Sequence, residues 1–417
     1  MAANSTAPNV FEAGLPTLDY SLAATPHDVV DDARQAQSQA PIAIGPLGPE
    51  ILSYNMVREI LRDHRFRLPP GITLAAQGIT SGPLYDKMAN SLLGLDGPPH
   101  VRLRKLVSKA FTPRATSRLD ETIRAVVNTL IDRVEDAGRC DVVTDIARPY
   151  PTPVMCALLG APPEDWQLFA DWTEEIFKAL NFQPDVTFDE AAIMGAWREL
   201  DAYVDDMVAA RRGNLTEDLL SELIRAESEG DRLDLDELRM LVAGFLMAGT
   251  DTTRNQLAAS VQVLCEHPDQ WQKLREHPEL AMQAVEETMR HSPAACIAPR
   301  AAVEDVEFGG YLFPAGTFVL ANTFAANRDP VIYDDADRFD ISRKDVPAIM
   351  TFGGGAHYCL GANLARRELA EALVVLTRRL PVANRIGPAP WKSLLGMTGP
   401  TTLPIEFTSE QFVGADA

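Results

Sequence analysis

A helical pattern about thirty residues long constrains this chain more than any other feature of it. The pattern opens after the cap candidates Asp234 and Asp236, runs to about Glu266, and is closed by His267-Pro268. At 1.5 Å per residue such a helix crosses most of a domain, so its middle belongs in a core. That middle reads Ala248-Gly249-Thr250-Asp251-Thr252-Thr253. Glycine and neighbouring threonines are poor helix-interior choices, the glycine costing up to about 1 kcal/mol. Local rules broken inside a core helix point to a functional distortion. The plainer reading is a threonine hydroxyl bonding back to its own helix.

Helical periodicity dominates from about residue 25 to residue 290. Leu119, Ile123, Val126, Val127, Leu130, Ile131 and Val134 mark one face of a helix begun near Ser117 and stopped at Gly138. Strand-like alternation comes later, at Val306-Glu307-Phe308, a Gly309-Gly310 turn, and Tyr311 to Leu320 with Pro314 and Gly316. A last helix is expected from about Ala362 to Leu380. The first 25 or so residues are polar, Pro- and Ala-rich, and expected to be extended. No repeat or linker divides the chain, so the expectation is one mainly α domain over residues 1–417 with a minor β region.

The formal net charge of −21 argues against a nucleic-acid partner, which needs a basic surface. The longest apolar run, Met240 to Thr250, is about half of a bilayer span, and the first residues carry no signal-peptide pattern. A cytoplasmic protein that does not enter a membrane is therefore expected. The five cysteines, Cys140, Cys156, Cys265, Cys296 and Cys359, include no CxxC pair. Each is by default a small buried hydrophobe.

Cys359 lies in a different setting. Phe352-Gly353-Gly354-Gly355-Ala356-His357-Tyr358-Cys359-Leu360-Gly361 leads directly into a helical run. Consecutive glycines let the backbone turn tightly and approach a flat ligand. A cysteine just before a helix N-terminus sits where backbone N–H groups and the helix dipole favour a thiolate, and a rigidly held thiolate suits a soft or redox-active metal. A further segment, Glu287-Thr288-Met289-Arg290, places an acid and a base on one helix face, by itself a weak signal.

In this order and spacing the three segments resemble the cytochrome P-450 family of haem-thiolate monooxygenases, the soluble bacterial kind, over nearly the whole chain. The resemblance implies that fold, with the long helix over haem b (iron protoporphyrin IX). It implies Cys359 as the metal ligand, with Phe352, His357 and Gly361 around it and Ala248 and Gly249 facing the cofactor. His100, Arg104, Arg300 and His357 would hold the propionates, which need cations or donors when buried. Asp251 and Thr252 would relay the protons that O–O cleavage requires. Glu287 and Arg290 would form a structural triad with Arg338 of Ala336-Asp337-Arg338-Phe339, where the family's usual proline is alanine. Substrate contacts would come from the loop Pro70 to Leu93 (Ile72, Leu74, Ile79), the region Leu168 to Trp197 (Phe177, Leu180, Phe182), Leu246, Ile297 and Met397. These apolar side chains fit a hydrophobic small molecule of terpenoid, steroid, fatty acyl or aromatic kind.

A ferredoxin-type iron–sulfur donor with its reductase is the expected partner beside O₂, and a monomer the expected state. From Gly97 to Leu119 there is no acid, while Arg102, Arg104, Lys105, Lys109, Arg114 and Arg118 fall there; Arg366 and Arg367 follow the cysteine. A peroxide-driven oxygenase and a non-catalytic haem sensor or carrier remain as alternatives. The retained pair Asp251 and Thr252 argues against both.

Overall fold

The computed structural model describes residues 7–20, 26–69, 71, 74–75, 78–180, 189–228, 233–344 and 346–409. The helix Leu235–Glu266 forms as expected and runs through the core. Asp234 caps it by accepting from the Glu237 N–H, and the Glu237 carboxylate accepts in return from the Asp234 N–H, a closed capping box. Twenty-one of its 32 residues are buried, so it is covered on nearly every side. The helices Pro151–Leu159, Trp166–Phe177 and Glu190–Arg212 pack along one part of it, and Ala281–His291 and Ala362–Arg379 along another. The pattern from Ser117 to Gly138 is a 3₁₀ turn, the helix Asp120–Asp132 and a second 3₁₀ turn, ended by Gly138 at φ 63.

The minor β region is larger than the sequence suggests. A five-stranded sheet runs in the order Ile42–Gly45, Gly48–Ile51, Phe318–Asn322, Ile297–Ala302, Phe66–Arg67. Three of these strands lie inside the stretch where helical periodicity dominates, which corrects that expectation. They are two to four residues long, and Ala43, Gly45, Gly48 and Pro49 are poor strand formers. Their order comes from pairing with a distant strand: Ile51 lies parallel to Ala321, and Arg300 opposes Val319. The Gly309-Gly310 hairpin forms, with both glycines at positive φ (59 and 86) as its two-residue turn demands, but the second strand expected from Tyr311 to Leu320 is two: Tyr311–Phe313 pairs with Val306–Phe308, and Phe318–Asn322 joins the five-stranded sheet. A third sheet joins Arg139–Asp141, Pro404–Thr408 and Val382–Arg385.

The described part of the N-terminal segment is not extended throughout: it turns where the Glu12 N–H donates to the Asn9 carbonyl, and Gly14 sits at φ 66. Asn9 and Thr17 bridge to Leu312 and Ile44.

Candidate active site

The Cys359 loop is held from both ends. The Cys359 N–H donates to the Phe352 carbonyl at 2.9 Å, closing the loop on itself. Gly355 is required there: at φ 67 a Cβ would also collide with the Leu61 carbonyl at the end of the helix Tyr54–Ile60. Phe352 is buried, and the Arg366 guanidinium lies 4.3 Å from its ring centroid while pairing with Glu286. Burial pushes the Cys359 thiol up, against the pull of the Gly361 N–H, Arg104 and Arg366 toward thiolate. Gly361 is different from Gly355. Its φ is −82 and an added Cβ would meet no atom within 4 Å, so no protein contact accounts for the absence of a side chain.

Above this loop lies a cluster of donors short of an anion. His100 is buried, and its ring centroid lies 4.3 Å from that of His357, the two planes tilted by 35°. His100 Nδ1 and His357 Nε2 are both buried without a hydrogen-bond partner. Arg300 is 4% exposed, and its guanidinium donates to the Pro299 carbonyl of its own backbone at 2.7 Å. The nearest acid, Asp96, stays 3.9 Å from His357. Burial, with His100 and Arg300 alongside, pushes His357 down to about 4, and burial pushes Arg300 down to about 10. Such a cluster is unfavourable unless carboxylates complete it. The residues present therefore fit the two propionates of a haem. Arg104, the fourth expected member, donates to the Tyr358 carbonyl and so also braces the cysteine loop.

The central helix carries one open stripe. Gly244, Ala248 and Thr252, four residues apart, are partly or fully exposed on a helix that is otherwise mostly buried. The Thr252 hydroxyl donates to the Ala248 carbonyl at 2.7 Å, the back-bonding form of the distortion. Asp251 is 5% exposed. Its carboxylate pairs with Arg254 and accepts from Asn255 at 3.3 Å, while Lys392 reaches Asn255 at 3.0 Å.

Two expected residues face elsewhere. Leu246 is fully buried; two residues from Ala248, it points about 160° away around the helix. Gly249 packs on the helix Pro151–Leu159, where a Cβ would collide with Met155, so its smallness serves helix–helix contact.

The acid–base pair on Ala281–His291 is a buried network. Arg290 spends all five N–H groups: two on Glu287 at 2.7 and 2.9 Å, and three on the carbonyls of Asn327, Ala336 and Arg338. The third side chain is Arg343, not Arg338. Arg343 Nε meets Glu287 Oε1 at 3.0 Å, whereas the Arg338 side chain is 61% exposed and pairs with Asp340. The network also anchors the cysteine loop, because Asn327 accepts from the Met350 N–H at 2.7 Å and Thr351 donates to the Met289 carbonyl.

Ile79, Phe177, Leu180, Ile297 and Met397 are partly open, as pocket residues should be, whereas Leu74 is fully buried. Met397 bridges Ala295, bringing the C-terminal stretch against the Ala294–Ile297 segment as expected. Ile72 and Phe182 lie outside the described residues, as does Pro70. Arg254, Asn255 and Lys392 around Asp251 were not foreseen. Arg254 follows Asp251 by one helical turn, a legible pairing, but nothing in the sequence points to Lys392.

A cysteine on a closed loop beside an anion-seeking cluster suits a prosthetic group held by sulfur. The cytochrome P450 family profile matches residues 52–385. Luteothin monooxygenase of Streptomyces thioluteus is 39% identical over 95% of this chain and 97% of its own length. Mycinamicin IV hydroxylase/epoxidase of Micromonospora griseorubida is 37% identical over 86% of the chain and 90% of its own. The crystal structure of CalO2 superposes with a TM-score of 0.88 at 32% identity, covering 94% of this chain and 99% of that one. This chain belongs to the cytochrome P450 family. It is a haem-thiolate monooxygenase that uses O₂ and a redox partner to oxygenate a small molecule, and no helix among the described residues is long and apolar enough to cross a membrane.

Proposed function

We propose that this chain, acting as one domain and as a monomer in the cytoplasm, binds haem b through Cys359 and hydroxylates a hydrophobic small molecule. The observation that carries the proposal is the pairing of the Cys359 loop with the unpartnered ring nitrogens of His100 and His357 and the buried Arg300, which has no acid against it among the described residues. The proposed balance is RH + O₂ + 2e⁻ + 2H⁺ → ROH + H₂O. Haem, when bound, supplies the reduction and cleavage of O₂. The protein's part is to hold the cofactor, exclude bulk water with apolar walls, and deliver two protons. The Thr252 hydroxyl lies on the open stripe, bonded back to the Ala248 carbonyl. Asp251 feeds it from a polar network that continues through Arg254 to Glu174, 3.6 Å away. The apolar character of Ile79, Phe177, Leu180, Ile297 and Met397 supports a hydrophobic substrate of terpenoid, steroid, fatty acyl or aromatic type.

Losing a positioned proton-transfer group typically costs about 10²–10⁴-fold in rate. Thr252→Ala is expected to lower product formation by about 10²-fold while reductant consumption continues and peroxide makes up the difference. Measuring reductant, peroxide and product together checks this. Unchanged coupling would remove Thr252 from the relay.

The proposed electron donor is an acidic ferredoxin-type protein. Most of the expected basic patch is internally paired: Arg102 with Glu237, Arg118 with Glu217, Arg366 with Glu286 and Arg367 with Asp120. Lys105, Lys109 and Arg114 are exposed and have no acidic partner among the described residues. Their neighbourhood touches the cysteine loop through Arg104–Tyr358 and through Asn363, which donates to the Phe111 carbonyl at 3.0 Å. Reversing the charge at Lys105 or Lys109 is expected to slow first-electron transfer about tenfold at low salt. The effect should fade as ionic strength rises, and substrate binding should be unaffected. Stopped-flow reduction at two salt concentrations reads both. Insensitivity to charge and salt would move the donor elsewhere.

A further inference from the structure

The helix Pro83–Ala89 has seven residues, too few to hold its shape without tertiary support. It packs chiefly against the long helix Glu190–Arg212. Lys87, in its last turn, meets Asp201 Oδ2 at 2.5 Å, and the same ammonium lies 4.8 Å from the ring centroid of Trp197. Trp197 and Asp201 are one turn apart on the partner helix, so a single cation engages both. Among the described residues this is the only ion pair that Pro83–Ala89 makes. The site is shielded: the Lys87 and Asp201 side chains are 24% and 23% exposed, and Trp197 is fully buried.

The junction is not saturated, however. Trp197 Nε1 and Asp201 Oδ1 are both buried without a hydrogen-bond partner. Unpaired buried donors and acceptors cost free energy, so the closed contact depends heavily on the one ammonium. A joint of that kind is easily broken. At the N-terminal end of the short helix Gly82 holds φ 108, and a Cβ there would meet no atom within 4 Å, which leaves room for a hinge.

We infer that Lys87, Asp201 and Trp197 form a latch joining two walls of the substrate entrance, so that the walls part together and admit a bulky ligand only when the latch breaks. The inference rests on the proposed haem-binding function and on the expectation, from the family resemblance, that the Pro70–Leu93 and Leu168–Trp197 segments contact the substrate. The ion pair and the cation–π contact act on the same opening equilibrium, and their loss should shift it about five- to thirtyfold.

Stopped-flow binding to the ferric holoenzyme tests it with clotrimazole as a bulky iron-coordinating azole, imidazole as a small one, and, after reduction, carbon monoxide. Lys87→Met and Asp201→Asn should each raise clotrimazole association and dissociation about five- to thirtyfold and leave imidazole and carbon monoxide rates unchanged. Lys87→Arg, which keeps both contacts, should behave as wild type. Added salt should speed clotrimazole exchange in wild type and not in the two charge-removed variants, a readout that needs no variant for its first half. Unchanged clotrimazole rates would overturn the latch, and so would equal acceleration of all three ligands, which indicates general loosening. If imidazole fails to perturb the absorption of the wild-type protein, the haem-pocket reading itself falls, and the latch with it.

Discussion

Arg290→Ala is expected to destabilise the fold by about 3–5 kcal/mol, the cost of stripping one partner from a buried ion pair. The arginine is 1% exposed, and its removal leaves Glu287 with Arg343 and the Asp340 N–H, while the Asn327 and Ala336 carbonyls lose their guanidinium donor and the Arg338 carbonyl keeps only Arg343. Domains are stable by only about 5–15 kcal/mol, so this single change consumes a large share. Arg343→Ala removes one charge-assisted bond to Glu287 and is expected to cost about 1.5–3 kcal/mol. Arg338→Ala deletes a solvent-facing side chain and should leave the unfolding midpoint close to that of wild type. Denaturant unfolding of the three variants gives the order directly. If Arg338→Ala costs as much as Arg343→Ala, the third member of the network has been misassigned. Because Asn327 and Thr351 tie this network to the residues before Phe352, Arg290→Ala should also weaken haem retention.

The features legible in the sequence are those whose signals are local. The central helix announces its own start with the Asp234–Glu237 box and its end with Pro268, and the Gly309-Gly310 hairpin needs only its two glycines. The cysteine loop was legible because glycines, cysteine and following helix are contiguous. What escaped depends on distant chain. The strand Gly48–Ile51 is ordered by Phe318–Asn322, far along the sequence, and its own residues are weak strand formers. Arg338 and Arg343 lie five residues apart in one irregular stretch, and their roles are decided by a backbone path that turns at Asp335, at φ 48. Leu246 and Gly249 are another kind of miss. Helix phase alone separates them from the Gly244–Ala248–Thr252 stripe, and membership in a motif does not tell which way a residue faces.

Cys359→Ala should abolish oxygenase activity outright, because no other described cysteine can take its place. Cys156 and Cys296 are buried and Cys140 and Cys265 half-buried, with thiols pushed up to about 12 chiefly by burial, and none lies beside the His100–His357–Arg300 cluster. The alanine variant should keep the fold, since the loop is closed by the Cys359 N–H and not by its sulfur. It should still take up haem through the propionate cluster, without the thiolate's electron donation to iron that favours O–O cleavage. The deciding measurement is the absorption spectrum of the reduced carbon-monoxide adduct. Wild-type protein should show the long-wavelength thiolate band that gives the family its name, and Cys359→Ala should show none. A thiolate band that persists in Cys359→Ala, or one that is absent from haem-loaded wild type, would contradict the assignment of Cys359 as the axial ligand.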